Sequence, residues 1–187
     1  MSALQEIPLT TLDGRPATLA QFAGKVLLVV NVASKCGLTP QYTALEALYQ
    51  RFKDRGLLVL GFPANDFAGQ EPGTDAEIAT FCSTEYPVTF PLFSKAVVTG
   101  AQKHPLYAAL TSAQPERVSN GDTLYQHLAS YAAANGFPAP NAPPELLWNF
   151  EKFLVNREGE VVGRFAPDMV PDDPKLVAAI ETALGQA

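Results

Sequence analysis

The sequence predicts an α/β domain in which helices flank a central mixed β-sheet. Two continuous apolar runs, residues 25–33 and 57–62, are typical of strands that are buried on both faces of a sheet. Between them, residues 40–55 place apolar side chains at steps of three and four, which is the period of a helix. Residues 150–156 and 161–165 are extended segments around a short polar turn, so we expect an antiparallel hairpin in the same sheet.

Shorter signals predict the remaining elements. Thr74 precedes an apolar segment and is followed by Glu77, which is the pattern of a capping box at a helix start. The Asp13-Gly14 dipeptide is typical of a hairpin turn. The remaining elements are therefore an N-terminal hairpin over residues 7–17, a helix over 74–82, an extended segment over 89–93, a helix that begins at residue 105 and a final helix over about 173–184.

Residues 112–145 interrupt this pattern. The segment is rich in Pro, Asn, Ala and Gly, and its periodicity predicts only one helix, at about residues 124–133. A chain of 187 residues suits one domain with a sizeable core. We therefore expect a single domain over residues 1–187, with residues 112–145 as an inserted loop and helix that pack against it.

Composition and charge exclude several classes of function. Hydrophobic residues make up 47% and charged residues 17% of the chain, as in ordinary globular proteins. The formal net charge of -6 repels phosphate, so we expect no nucleic-acid partner. The longest apolar run, residues 26–32, is too short to span a bilayer, and the first residues lack the pattern of a signal peptide. These features predict a cytoplasmic protein without a membrane partner.

The chain has two cysteines, Cys36 and Cys82. In a reducing compartment such a pair is seldom a permanent bridge, and a bridge that does form is usually transient and catalytic. A closed zinc site needs four ligands, and His104 and His127 lie near neither cysteine in the sequence. Because no Gly-rich phosphate loop follows a predicted strand either, we expect neither a metal nor another cofactor.

Cys36 lies just after a predicted central strand and just before a helix. Ligands bind at the carboxyl ends of strands in open α/β sheets, and a helix N-terminus presents N–H groups and the positive end of its dipole. Both effects, with Lys35 alongside, favour the thiolate, which is the form that attacks a peroxide oxygen. Position alone is equally compatible with a small thiol buried in the core.

Three sequence segments distinguish a reactive Cys36 from a thiol that is merely buried in the core. Residues 31–42 read NVASKCGLTPQY, residues 61–73 read GFPANDFAGQEPG and residues 148–155 read WNFEKFLV. In this order they resemble the three signature segments of glutathione peroxidases, and residues 81–95 and 164–171 are similar to the same family. The resemblance extends from about residue 7 to the C-terminus.

The resemblance implies a thioredoxin-like fold and the reduction of hydrogen peroxide and organic hydroperoxides. By motif position it also implies a four-residue active site of Cys36, Gln70, Trp148 and Asn149. The amide and indole N–H groups of the last three are neutral donors, which can hydrogen-bond a thiolate and stabilise charge on the departing oxygen. Without the motifs, the single tryptophan would be interpreted as core and Gln70 as solvated surface.

Cys82 lies on the predicted helix where thioredoxin-dependent members of the family carry a resolving cysteine. The resemblance therefore implies that Cys82 condenses with a Cys36 sulfenic acid to a disulfide, which thioredoxin reduces. Ala64 replaces a cysteine that many relatives carry, which strengthens this assignment, and Asp66 replaces their glutamine. Bridging requires Cα atoms within about 7 Å, so the helix is expected to unravel locally. The alternative is a spare buried thiol beside Phe81.

Three other functions use the same residues. Glutathione is the second candidate reductant, although an acidic chain with a resolving cysteine favours thioredoxin. In a peroxide sensor, the same disulfide would change the shape of the protein and signal to a partner. A thioredoxin-like binding module without chemistry is expected to have lost one of the four site residues, and none is lost.

Overall fold

The computed structural model of the chain describes residues 1–185, so the last two residues of the predicted domain lie outside it. Within that range, no helix has the length and apolar composition needed to cross a membrane. The strands are β1 Leu9–Thr10, β2 Pro16–Ala17, β3 Val26–Val32, β4 Leu57–Pro63, β5 Lys152–Val155 and β6 Val161–Phe165. The α-helices are α1 Gln41–Phe52, α2 Asp75–Thr84, α3 Pro105–Ala113, α4 Thr123–Asn135 and α5 Pro174–Gly185.

The main sheet is mixed, with strand order β4-β3-β5-β6, and β1 and β2 form the separate N-terminal hairpin. β3 pairs in parallel with β4 and antiparallel with β5, so it lies inside the sheet. All residues of β3 are buried because neighbouring strands cover both its edges and other elements cover both its faces. This position explains the continuous apolar run that predicts the strand.

Two apolar cores lie on opposite faces of the sheet, because side chains of a strand alternate between its faces. Leu28 and Val30 of β3 belong to the first core, together with side chains of α1, α2 and α5. Leu27 and Val29 belong to the second core, together with side chains of α3 and the N-terminal hairpin. Trp148 packs against both cores. The structure therefore has the predicted α/β architecture of a mixed sheet between helices.

The first turn of α2 has the predicted capping box. Thr74 Oγ1 accepts a hydrogen bond from the Glu77 N–H (3.2 Å), and Glu77 Oε2 accepts one from the Thr74 N–H (2.8 Å). Ile78 and Cys82 of this helix are buried, whereas Phe81 is only half-buried. A spacing of four residues, rather than three, therefore faces the core.

The helix predicted over residues 40–55 is shorter in the structure. α1 ends at Phe52, and a 3-10 turn over Lys53–Arg55 continues the chain to Gly56. Gly56 has a φ of 109°, in the left-handed region where glycine has no steric penalty. Gly56 therefore ends the helical segment, whose last turn is tighter than that of a regular α-helix.

Arg164 of β6 attaches the inserted segment to the sheet. Its side chain has no solvent exposure, and the insertion residue Val118 forms a bridge to the neighbouring Phe165. Backbone carbonyl groups from both ends of the insertion surround the guanidinium. They belong to Gln114 (3.1 Å), Pro115 (2.9 Å), Pro144 (2.9 Å) and Glu145 (3.0 Å).

Glu151 supplies the negative charge of this cluster. Its buried carboxylate accepts hydrogen bonds from Arg164 (2.9 Å) and from Arg117 of the insertion (2.6 Å). Arg117 also donates to the backbone carbonyl of Glu145 (2.8 Å). Residues 112–145 thus contact the sheet through these charged groups and backbone carbonyl groups.

Replacing Glu151 with glutamine should destabilise the fold. Glu151→Gln keeps the size of the side chain but leaves two arginines without their carboxylate, and removal of one partner of a buried ion pair costs about 3 to 5 kcal/mol. Urea unfolding followed by circular dichroism measures the change. The matched control is Glu181→Gln, because Glu181 forms an exposed pair with Arg55 (3.9 Å) and should change the free energy of unfolding by less than about 1 kcal/mol. Equal effects for the two variants would contradict the buried network.

Lys152 is a second buried charged residue in the sheet. Its Nζ donates to Gln41 Oε1 (2.7 Å) and to the Pro167 carbonyl (2.9 Å), which joins β5 to the first residue of α1. Burial lowers the pKa of Lys152 from 10.5 to about 7, against the opposing attraction of the Asp168 and Glu151 carboxylates. The ammonium form therefore carries a desolvation cost in the native state at neutral and lower pH.

The stability of the fold should depend on pH through Lys152. Below about pH 7 the Lys152 amine is protonated in both the native and the unfolded protein, so the desolvation cost is present in full. Between about pH 7 and 10.5 the unfolded chain binds more protons than the native protein, so the contribution of Lys152 to the free energy of unfolding rises with pH. Lys152→Met removes it. The difference in unfolding free energy between wild type and Lys152→Met should shift in favour of wild type as the pH rises through this window. Lys25→Met, at an exposed position, controls for loss of a lysine. A pH-independent difference would contradict the assignment.

Candidate active site

The sheet topology brings three separate segments to one edge. β3 and β4 are parallel, so both end at the same edge, and β5 is antiparallel and therefore begins there. Cys36 follows β3, Gln70 follows β4, and Trp148 and Asn149 precede β5. Residues that are far apart in sequence thus share one edge of the sheet, where α/β proteins commonly bind ligands.

Cys36 lies in a tight turn between β3 and α1. The Cys36 N–H donates to Thr39 Oγ1 (3.0 Å), whose hydroxyl donates to the Ala33 carbonyl (2.8 Å). The Cys36 Sγ accepts a hydrogen bond from the Leu38 N–H (3.3 Å). This donor belongs to the turn, because α1 begins only at Gln41. The expectation that the helix end itself presents its N–H groups to the sulfur is therefore corrected to the turn before the helix.

Gln70 and Asn149 are in direct contact. Asn149 Nδ2 donates to Gln70 Oε1 (2.9 Å), and the Gln70 backbone carbonyl accepts from the Lys35 N–H (3.0 Å). The Gln70 loop is therefore joined both to the residue before Cys36 and to the start of β5. Because the contact with Asn149 uses the amide oxygen of Gln70, its Nε2 donor group can face a ligand.

Asn31, on the penultimate position of β3, holds the segment with Trp148 in place. Its Nδ2 donates to the Trp148 carbonyl (3.2 Å), and its own carbonyl accepts from the Phe150 N–H (2.7 Å). Phe150 has a φ of 68°, in the left-handed region that is uncommon for a side chain of this size. The Trp148 ring packs on Phe67, with centroids 5.3 Å apart. These contacts fix the backbone on both sides of Asn149.

Sequence reasoning missed two residues of this edge. The Asn31 side chain has no solvent exposure, and the signal for it was a polar residue inside an otherwise apolar strand run. Glu71 follows Gln70 and is also buried, at 1% exposure. Burial raises the pKa of the Glu71 carboxyl, against the opposing effects of the nearby Ser34 and of the Lys95 charge. The sequence does not show whether a polar residue next to a motif is buried or solvated.

Cys82 is a buried free thiol on α2, and Cys36 is a free thiol as well. The two belong to the same apolar core, and Cys82 is only 3% exposed although the helix ends at the surface. Burial raises the pKa of the Cys82 thiol, an interaction with Tyr42 opposes this, and the Glu71 charge adds to it. The Tyr42 hydroxyl lies near the thiol but outside normal hydrogen-bond geometry, so burial determines the direction in which the pKa of Cys82 is shifted.

The two histidines lie outside this edge. His104 Nδ1 accepts from the Leu106 N–H (3.0 Å) at the start of α3, and burial lowers the pKa of this imidazole. His127 lies on the exposed face of α4. Within residues 1–185, no group of three or more His, Cys, Asp and Glu side chains is arranged to hold a metal ion.

Comparison with known proteins supports one family. The model for the family described as glutathione peroxidase matches residues 4–111 of the chain. The chain is 50% identical to the thioredoxin/glutathione peroxidase BtuE of Escherichia coli strain K12, over 98% of the chain and 100% of that protein. It is 47% identical to the hydroperoxy fatty acid reductase gpx1 of Synechocystis, over 92% of the chain and 90% of that protein.

Solved structures agree with this comparison. The crystal structure of Trgpx in apo form superimposes with a TM-score of 0.70 at 32% identity, covering 100% of the chain and 98% of that chain. A thioredoxin-family thiol:disulfide interchange protein from Chlorobium tepidum superimposes with a TM-score of 0.56, covering 96% and 93% of the two chains. At 15% identity, the second likeness shows the fold alone.

The fold is therefore thioredoxin-like, as the family resemblance implies. The family match, and the likeness to the E. coli protein over the whole chain, define the class further. The chain belongs to the glutathione peroxidase family, and it is a peroxidase.

Removal of the Asn31 amide should impair the site more than the fold. Asn31→Leu deprives the Trp148 carbonyl of a donor, which costs about 1 to 3 kcal/mol. Leucine also removes the buried Asn31 Oδ1, which has no hydrogen-bond partner among residues 1–185. The loss in unfolding free energy should therefore stay near the lower end of this range. Oxidation by peroxide should slow by at least about tenfold, because small displacements of positioning groups are costly. Stopped-flow tryptophan fluorescence measures this rate.

The matched control for this variant is Asn156→Leu. Asn156 is also buried, and its Oδ1 accepts from the Glu158 and Glu160 N–H groups at the turn after β5, on the opposite edge of the sheet. It should reduce the free energy of unfolding without slowing oxidation. If both variants slow oxidation equally, loss of stability explains the effect and Asn31 has no positioning role.

Proposed function

We propose that the protein reduces hydrogen peroxide and organic hydroperoxides through a sulfenic acid on Cys36 and a Cys36–Cys82 disulfide that thioredoxin reduces. The observation that carries the proposal is the hydrogen bond between Gln70 and Asn149 at the sheet edge where Cys36 lies. Two amides from distant segments are held together beside a cysteine turn. Such fixed neutral donors are suited to a reaction in which charge moves from sulfur to oxygen.

The first step is nucleophilic attack on the peroxide. The Cys36 thiolate forms a bond to the terminal oxygen of the hydroperoxide, and the O–O bond breaks. Sulfur is oxidised by two electrons to the sulfenic acid, and the other oxygen leaves as an alkoxide, or as hydroxide from hydrogen peroxide. A proton taken up by this oxygen gives the alcohol or water.

The site residues have separate roles in this step. The Leu38 N–H donates a hydrogen bond to the Cys36 sulfur and so fixes its position in the turn. The Gln70 Nε2 and the Trp148 indole N–H would donate to the departing oxygen. Asn149 would act through Gln70, because its Nδ2 donates to Gln70 Oε1 and leaves the Gln70 Nε2 for the peroxide.

The second step joins the two cysteines. The Cys82 sulfur attacks the sulfur of the Cys36 sulfenic acid, the S–S bond forms and the S–O bond breaks. The departing hydroxide takes the proton of the Cys82 thiol and leaves as water. Because burial raises the pKa of Cys82, this step needs the end of α2 to open so that the thiol becomes solvated and mobile.

Thioredoxin is the proposed reductant because it reduces protein disulfides by thiol–disulfide exchange, and the cytoplasmic location that the sequence predicts would supply it. The name of the E. coli relative includes both thioredoxin and glutathione. Glutathione acting directly on the Cys36 sulfenic acid is therefore the second candidate. A sensor that uses the same disulfide is the third, and it differs by turning over slowly with either reductant.

Two single variants test the cycle. Cys36→Ser should abolish peroxide consumption, because a serine hydroxyl is not ionised at neutral pH. Cys82→Ser should allow one equivalent of peroxide to be consumed and should then stall with thioredoxin. Steady-state consumption of hydrogen peroxide is measured with thioredoxin and its reductase, and in parallel with glutathione and its reductase.

The outcomes separate the candidates. Turnover with thioredoxin that requires both cysteines supports the proposal. Undiminished cycling of Cys82→Ser with thioredoxin would rule out Cys82 as the resolving residue. Turnover of wild type with glutathione alone would favour the second candidate, and oxidation of Cys36 without turnover by either reductant would favour the sensor.

A further inference from the structure

A small apolar cavity lies beside the active-site edge. Its volume is about 170 Å³, and its walls come from the loop before Gln70, from the segment that contains Trp148, and from α4 with the chain that follows it. Neither the motifs nor the proposed function gives a role to α4, which belongs to the inserted segment. The cavity is therefore a feature that the inserted segment adds to the site.

The polar side chains in the cavity wall are bound elsewhere. Asp66 Oδ2 accepts hydrogen bonds from the Val98 N–H (3.2 Å), the Thr99 N–H (3.1 Å) and the Thr99 hydroxyl (3.0 Å). Asn141 Nδ2 donates to the Leu146 carbonyl (3.1 Å). These bonds use one carboxylate oxygen of Asp66 and the amide nitrogen of Asn141, and the other residues of the wall are mainly apolar or aromatic.

α4 forms one wall through residues on a single face. Leu128, Tyr131 and Ala132 are spaced by three and four residues and all line the cavity. The helix ends at Gly136, with a φ of 72°, and the Phe137 N–H donates back to the Ala132 carbonyl (2.9 Å). This return places the Phe137 ring against Tyr131, with centroids 5.9 Å apart.

Tyr131 and Phe137 are exposed residues, with 40% and 45% of their full area accessible to solvent. Large aromatic side chains are usually buried. Two stacked rings that stay exposed beside a concave apolar wall therefore indicate a binding surface. They form an apolar entrance to the cavity. Such an entrance favours a ligand with a hydrocarbon surface over hydrogen peroxide alone.

Trp148 connects the cavity with the chemistry. It lines the cavity together with Leu147 and Phe67, and it is one of the residues proposed to donate to the peroxide. A hydrocarbon group in the cavity would therefore have its attached oxygen atoms on the Trp148 side. The size is suitable, since an apolar cavity of about 150 Å³ binds benzene.

We propose that this cavity binds the hydrocarbon group of an organic hydroperoxide, and that it suits a compact group of about the size of an aromatic ring. The inference rests on the proposed function, because the bound group is the alkyl part of the substrate that Cys36 reduces. After the O–O bond breaks, the same cavity holds the hydrocarbon part of the product alcohol until it departs.

The test compares cumene hydroperoxide with hydrogen peroxide as oxidants of the reduced protein. Ala132→Leu adds a larger side chain to the buried cavity wall, and Ala133→Leu adds the same side chain at the next, exposed position of α4. The second-order rate constant of oxidation is measured by stopped-flow tryptophan fluorescence. In Ala132→Leu, the ratio of the cumene hydroperoxide constant to the hydrogen peroxide constant should fall roughly tenfold, since a lost apolar contact of this size changes specificity by that order.

A second pair of variants tests the same inference if Ala132→Leu does not fold. Tyr131→Ala removes part of the entrance, and Tyr125→Ala truncates an exposed tyrosine of the same helix that does not line the cavity. Tyr131→Ala should lower the same ratio, and Tyr125→Ala should leave it unchanged. Circular dichroism confirms that each variant is folded before its rates are compared.

The outcomes distinguish this inference from the proposed function. A ratio that falls in Ala132→Leu or Tyr131→Ala, but in neither control, supports the cavity as the substrate site. If both peroxides oxidise the wild type and no variant changes the ratio, the cavity is not the substrate site and the proposed function is unaffected. A wild type that neither peroxide oxidises overturns both.

Discussion

The buried ion cluster of Arg117, Glu151 and Arg164 holds both ends of the segment that carries Trp148 and Asn149. The arginines bind the Glu145 carbonyl before that segment and the Glu151 carboxylate after it. An unpaired charge in this position would be costly, so the cluster must form whenever the domain folds. Because Arg164 also binds carbonyl groups at both ends of the insertion, one interaction fixes the cavity wall and the site together.

The site combines a rigid edge with a second cysteine that must move in the proposed cycle. Cys36, Gln70 and Asn149 are held by backbone and amide hydrogen bonds at the ends of paired strands. Cys82 is instead buried on α2, which is only ten residues long. This division suits a two-step reaction, because attack on the peroxide needs fixed donors whereas disulfide formation needs local opening. Burial raises the pKa of the Cys82 thiol and so limits its reactivity while α2 is intact.

Much of the fold could be predicted from the sequence, and the exceptions share one cause. Apolar periodicity identifies β3, β4 and α1, and the Thr74–Glu77 box identifies the start of α2. Lys152 and Arg164 follow no such pattern, because a charged residue in a strand is ordinarily interpreted as solvent-facing. Both are fully buried, and distant carbonyl, amide or carboxylate oxygens accept hydrogen bonds from them. Partners of this kind depend on tertiary packing, which local patterns do not encode.

By itself, the sequence determined the fold class, the family resemblance and the four candidate site residues, because apolar period and motif order are properties of the chain. Only the tertiary structure decided that Asn149 donates to Gln70, that a turn rather than a helix end supplies the N–H group at Cys36, and that α4 forms a cavity wall beside Trp148. The physical reason is that hydrogen bonds and cavities depend on distances between segments. Those distances are set only when the sheet aligns its strand ends and the buried charges find their partners.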